Sequence, residues 1–149
     1  MDLFPQRDSG GKGNLKAAPR GPVVLDTSAV SILFRGDGRS AHLAERIRGR
    51  RAVISFQTLE ELRFGAYKAG WGERRLNGLN RLLAQFEVIW PNPELVEICA
   101  RLRVRQETAG KRLATADAWI AATALLLGCP LVAGDSDFEL VDGLTLVSV

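Results

Sequence analysis

Four carboxylates of this 149-residue chain stand at or near junctions between apolar runs and polar sequence. Asp26 closes Val23-Val24-Leu25 and is followed by Thr27-Ser28. Asp135 closes Leu131-Val132-Ala133 and is followed by Ser136-Asp137. Glu61 lies in the first helical turn after Ala52-Val53-Ile54-Ser55, and Asp117 opens the apolar run from Ala116 to Leu127. Each has a local explanation. Asp26 suits a helix N-cap, Glu61 completes a capping box begun by Thr58, and Asp117 stands near the helix N-terminus that Thr115 caps. Asp135 and Asp137 can cap the turn Phe138-Glu139-Leu140. Asp117 is served worst by this account, because Ala118, Trp119, Ile120, Ala121 and Ala122 make its helix apolar on nearly every side, and a charge against that surface needs a partner.

The alternative is that the acids converge. Carboxylates brought together repel and hold their protons unless a cation neutralises them. An all-oxygen set selects a hard ion, Mg2+ or Mn2+, over zinc. The single histidine, His42, lies outside these positions and reads as a surface residue. A hard dication in an acidic cup, open on one side to a phosphodiester, is equipment for hydrolytic phosphoryl transfer.

The elements that must position these acids follow from hydrophobic spacing. Strands are expected at Val23–Leu25, Ala52–Ser55, Val88–Trp90, Leu131–Ala133 and Leu144–Val147, separated by helices. Gly36-Asp37-Gly38 breaks the chain after the first helix, and Ser40 caps the next. Asn92-Pro93 is a strong helix start, and Gly128 and Pro130 stop the helix that begins at Thr115. Strands alternating with helices predict a parallel sheet covered on both faces, whose ligands gather beyond the carboxyl ends of the strands.

Composition bounds the rest. At 16.2 kDa with 46% hydrophobic residues, the chain suits one α/β domain. Residues 1–22, rich in glycine and proline, read as a flexible leader; their Gly-Gly-Lys-Gly lacks the spacing of a phosphate-binding loop. Without an apolar run long enough for a membrane span or a signal, the protein is expected in the cytoplasm. Cys99 and Cys129 read as reduced packing residues. A net charge of +3 permits a polyanionic partner without demanding one. Arg46, Arg48, Arg50 and Arg51 cluster at a helix end, where they suit the helix dipole; a phosphate contact is the other reading.

Four segments in order, V-V-L-D-T-S-A, S-F-Q-T-L-E-E-L-R-F-G-A, A-D-A-W-I-A-A-T-A-L and L-V-A-G-D-S-D-F-E-L-V-D-G-L, resemble PIN-domain ribonucleases, most of all the VapC-type toxins of toxin–antitoxin pairs. The resemblance covers residues 23–149 and implies a three-layer α/β/α sandwich with strand order 3-2-1-4-5. It implies catalysis by Asp26, Glu61, Asp117 and Asp135, with Asp26, Asp117 and Asp135 holding Mg2+ (or Mn2+) and with Ser28 and Thr27 in support. Glu61 is chosen over Glu60 because it directly precedes Leu62 in the family's E-L-x-x-G-A pattern. Asp137 is an alternative to Asp135, and Ala133 departs from the threonine often found in relatives. The resemblance further implies an RNA substrate, a homodimer and a small antitoxin lying across the cup, for which Trp71 is a possible anchor beside its plainer reading as a core or helix-edge residue. Lys111 and Arg112 are rim candidates for phosphate. Two rivals remain at this level: a catalytically weak PIN module whose acids serve as caps, and an aspartyl-phosphate receiver, against which the absence of lysine from residues 130–149 counts.

Overall fold

The structure, a computed structural model, describes residues 21–134 and 136–149. The leader expected over 1–22 therefore falls, as far as residue 20, outside the described residues, and so does Asp135. Among these residues five parallel strands form one sheet: β1 (Val23–Leu25), β2 (Ala52–Ser55), β3 (Glu87–Ile89), β4 (Leu131–Ala133) and β5 (Leu146–Ser148), in the order β3-β2-β1-β4-β5. Among the described residues six helices cover it: α1 (Thr27–Arg35), α2 (Gly38–Ile47), α3 (Phe56–Lys68), α4 (Glu73–Leu83), α5 (Pro93–Thr108) and α6 (Thr115–Leu127).

The unpunctuated apolar strands are explained by the period of the pleat. Val23 and Leu25 enter the core beneath α1–α4, whereas Val24, between them, enters the core beneath α5 and α6. Ala52 and Ile54 alternate with Val53 in the same way, and Val132 alternates with Leu131 and Ala133. With both faces buried, a polar residue has no place until a strand ends. Asp26 is therefore the first charge β1 can carry.

Several boundaries differ from expectation. Ser55, assigned to β2, also caps α3 by accepting from the Gln57 N–H at 3.1 Å, so α3 starts at Phe56 and not at Thr58. Thr58 is a fully buried residue of the first turn. Asp37 and not Ser40 caps α2, accepting from the Ser40 N–H at 3.1 Å, while the Ser40 hydroxyl donates back to the Leu33 carbonyl. Thr115 is the first residue of α6; its N-cap is Ala114, which offers no side-chain bond. Trp90 lies outside β3 and is 61% exposed, because Ile89 already pairs with Ser55, the last residue of β2. β5 runs to Ser148, paired with Ala133, and Leu144 precedes it.

Asn92 caps α5 as its sequence demands, accepting from the Leu95 N–H at 2.8 Å with Pro93 in the first helical position. Gly128 ends α6 in the left-handed region at φ 59°, where a side chain would be strained. Cys99 and Cys129 are free and buried, and burial pushes both thiols above their ordinary pKa. Trp71 stacks on Phe34 with ring centroids 5.3 Å apart, and the Arg75 guanidinium covers it at 3.9 Å, so this tryptophan edges the core. Among the described residues no helix is long and apolar enough to cross a membrane.

Candidate active site

The order of the sheet reverses between β1 and β4, and the turn out of β1 is tied there from two sides. Asp26, 3% exposed, divides its carboxylate between two backbone donors. One oxygen accepts from the Ala29 N–H at 2.7 Å, which caps α1. The other accepts from the Gly134 N–H at 3.3 Å, immediately after β4. The capping explanation thus accounts for one oxygen only; the second joins the two strand ends that flank the crevice.

Gly134 is the residue that makes this approach feasible, and sequence reasoning passed over it. A Cβ built on it would stand 2.9 Å from the Ser28 Cβ and 3.4 Å from Val149 Cγ2. Only a glycine lets the chain leaving β4 lie so close to the first turn of α1. Its place between an apolar run and Asp135 was the available signal.

Thr27 provides a third tie. Its hydroxyl donates to Glu61 Oε1 at 2.9 Å and lies 3.4 Å from the Thr58 hydroxyl. Because α3 begins at Phe56, Glu61 sits in the second turn, too far along to close a capping box with Thr58. That local explanation for Glu61 is removed. Glu61 is half-buried and faces β1's turn, whereas Glu60 is exposed.

Asp117 occupies the first turn of α6 and is half-buried. Only Gly128, Cys129 and Pro130 separate α6 from the start of β4, so the helix runs against the strands and presents its first turn at their carboxyl edge. Phe56, which opens α3, meets Trp119 edge to face at 5.4 Å, setting the N-termini of α3 and α6 side by side. Ser28 is exposed on the first turn of α1, and Asp137 is exposed in the 3-10 helix Ser136–Leu140. Among the described residues, no three acidic, His or Cys side chains form a ready group for an ion. The donors gathered from Asp26, Thr27 and Glu61 are nevertheless all oxygen, the set a hard dication takes and a soft one does not.

The rim is ordered by a buried amide. Gln106, 4% exposed, donates to the carbonyls of Lys111 and Leu140 at 3.1 and 2.9 Å, fastening the loop before α6 to the 3-10 helix. Lys111 and Arg112 stand exposed on that loop.

A parallel α/β/α sandwich with Asp26 at its topological switch defines the class. The PIN-domain model matches residues 23–144, and the chain belongs to the PIN-domain family. It is similar to Ribonuclease VapC5 of Mycobacterium tuberculosis, 31% identical over 128 residues that make up 85% of this chain and 92% of that protein. A toxin–antitoxin structure from the same organism, VapBC-5, shares 30% identity at a TM-score of 0.66, covering 88% of this chain and 98% of that one. VapBC2 from Rickettsia felis, bound to a DNA fragment from its promoter, superposes with a TM-score of 0.78 over 85% of this chain and 98% of its own; at 22% identity it speaks for the fold.

Proposed function

We propose that this protein is a Mg2+-dependent endoribonuclease and the toxin of a toxin–antitoxin pair, acting in the cytoplasm, with residues 23–149 as its PIN domain. The observation that carries the reading is the bond from Thr27 to Glu61, because it draws toward Asp26 a carboxylate that no helix end requires. The names of the relatives, a ribonuclease and toxin–antitoxin complexes, support the substrate class and the partner.

In this proposal Asp26, Asp117 and Asp135 hold the ion, Mn2+ substituting for Mg2+, with Asp137 as the alternative to Asp135. The bound ion would acidify a water and offset charge on the phosphoryl group. The chain's own residues do the positioning. The Ala29 and Gly134 N–H groups fix the Asp26 carboxylate. Thr27 holds Glu61, which orients the attacking water, and Ser28 completes the polar lip. Lys111 and Arg112 anchor flanking phosphates, contacts that position RNA without reading its sequence.

Purified protein is expected to cut RNA with Mg2+ or Mn2+ and to stop on addition of EDTA. Asp26→Asn and Asp117→Asn should each abolish cleavage while the melting temperature stays the same or rises. A specific observation favours the rival, a weak PIN module whose acids are structural, since Asp26 does cap α1. Variants that unfold, together with a wild type that cuts nothing, decide for that rival. Growth arrest on expression, relieved by a small neighbouring gene, tests the toxin assignment.

A further inference from the structure

The edge of the sheet at β5 carries a groove that the chemistry above does not use. One hollow of about 240 Å³ is walled by Ile32, Leu43 and Val149 with Arg39, His42 and Arg46 around it. A second, of about 330 Å³, continues along α2 past Val147 to Arg50. Arg39, His42 and Arg46 fall at i, i+3 and i+7 of α2 and so share one face. Of the nearby acids, Asp37 caps α2, and Glu45 lines the second hollow beside Arg46 and Arg50, its carboxylate paired with Arg48 at 2.9 Å. Arg46 Nη1 donates to the Ser148 carbonyl at 2.7 Å, which fixes its guanidinium over the strand edge.

The groove opens at the lip of the acidic site. Val149, which walls the first hollow, lies against Gly134, and the Gly134 N–H bonds Asp26. Ile32 lies one turn beyond Ser28 on α1. A chain whose phosphate sat at Asp26 would meet Ser28, then Val149, then the cationic face of α2.

We infer that this groove is the path of the single-stranded RNA flanking the cleaved bond, its phosphates on Arg39, Arg46 and Arg50 and one base seated in the aliphatic hollow against His42. The inference rests on the ribonuclease reading. Bases splayed from a single strand stack on imidazole rings, guanidinium planes and apolar walls, and a polyanion gains from each cation it meets. An acidic protein segment would meet the same charges, and the experiment separates the two.

Binding of fluorescein-labelled single-stranded RNA of random sequence is measured in EDTA, and cleavage of the same RNA in Mg2+. Arg39→Ala combined with His42→Ala weakens binding and raises KM about tenfold with kcat unchanged, and lowers the salt dependence of binding by a slope of about 1. Val149→Glu, which sets an anion at the hollow, also raises KM. Arg101→Ala, on the exposed face of α5, changes neither quantity. Groove variants that match the wild type in affinity and KM overturn the inference and leave the nuclease reading standing. So do variants that lose only neutralisation by the antitoxin, which would give the groove to a protein segment. A wild type that neither binds nor cuts RNA removes the nuclease reading itself.

Discussion

At the scale of single residues, the site depends on small groups that place the acids. A methyl added at Gly134 meets the Ser28 Cβ, an atom next to the backbone that cannot swing away. Gly134→Ala is therefore expected to cost about 1–3 kcal/mol of stability, as overpacking does. It should also lengthen the Gly134 N–H bond to Asp26 and reduce cleavage at least tenfold, checked by denaturant unfolding beside a cleavage assay. Thr27→Val keeps the shape of the side chain and removes the donor to Glu61, so activity should fall with little change in melting temperature, and Thr27→Ser should restore it. Equal activity in Thr27→Val and wild type would mean that the Thr27–Glu61 bond does nothing for catalysis.

At the scale of elements, similar sequence signals have opposite structural outcomes. Asn92 and Thr115 both precede apolar helical runs, yet only Asn92 caps its helix. Asn92→Ala should cost about 1 kcal/mol, the usual loss for a working cap, and Thr115→Ala a few tenths at most. Chemical denaturation of the two variants makes the comparison, and comparable losses would contradict the capping geometry. The Asn92 signal was legible because Pro93 and the following apolar stripe agreed with it. Thr58 misled because Ser55, three residues earlier, is itself a good cap and was counted as strand. The boundary passed to whichever hydroxyl the end of β2 delivered to the first free N–H groups.

At the scale of the whole molecule, α3 and α5 leave large apolar side chains in water. Phe64 and Tyr67 lie one turn apart and are 60% and 63% exposed, and Val104 is 64% exposed. The homodimer that the resemblance implies would cover such a surface. Light scattering should give twice the chain mass for the wild type, and Phe64→Glu with Tyr67→Glu should return it to the monomer. A wild type that is monomeric at every concentration tested would overturn the homodimer expectation.

Local order along the chain was enough to determine the alternation of strands and helices, the acid at the end of β1, the cap at Asn92 and the glycine that stops α6. These depend on neighbours within about one helical turn or on the two-residue period of a strand. The resemblance to PIN-domain ribonucleases added the order of the sheet, which the structure bears out. Tertiary structure alone decided that Thr27 reaches Glu61, 34 residues away, that Asp26 shares its carboxylate with Gly134 across 108 residues, and that Glu61 has no helix end to serve. Contacts at such separations come from the packing of β1 between β2 and β4. No local pattern of residue types encodes which side chains that packing brings within a hydrogen bond of one another.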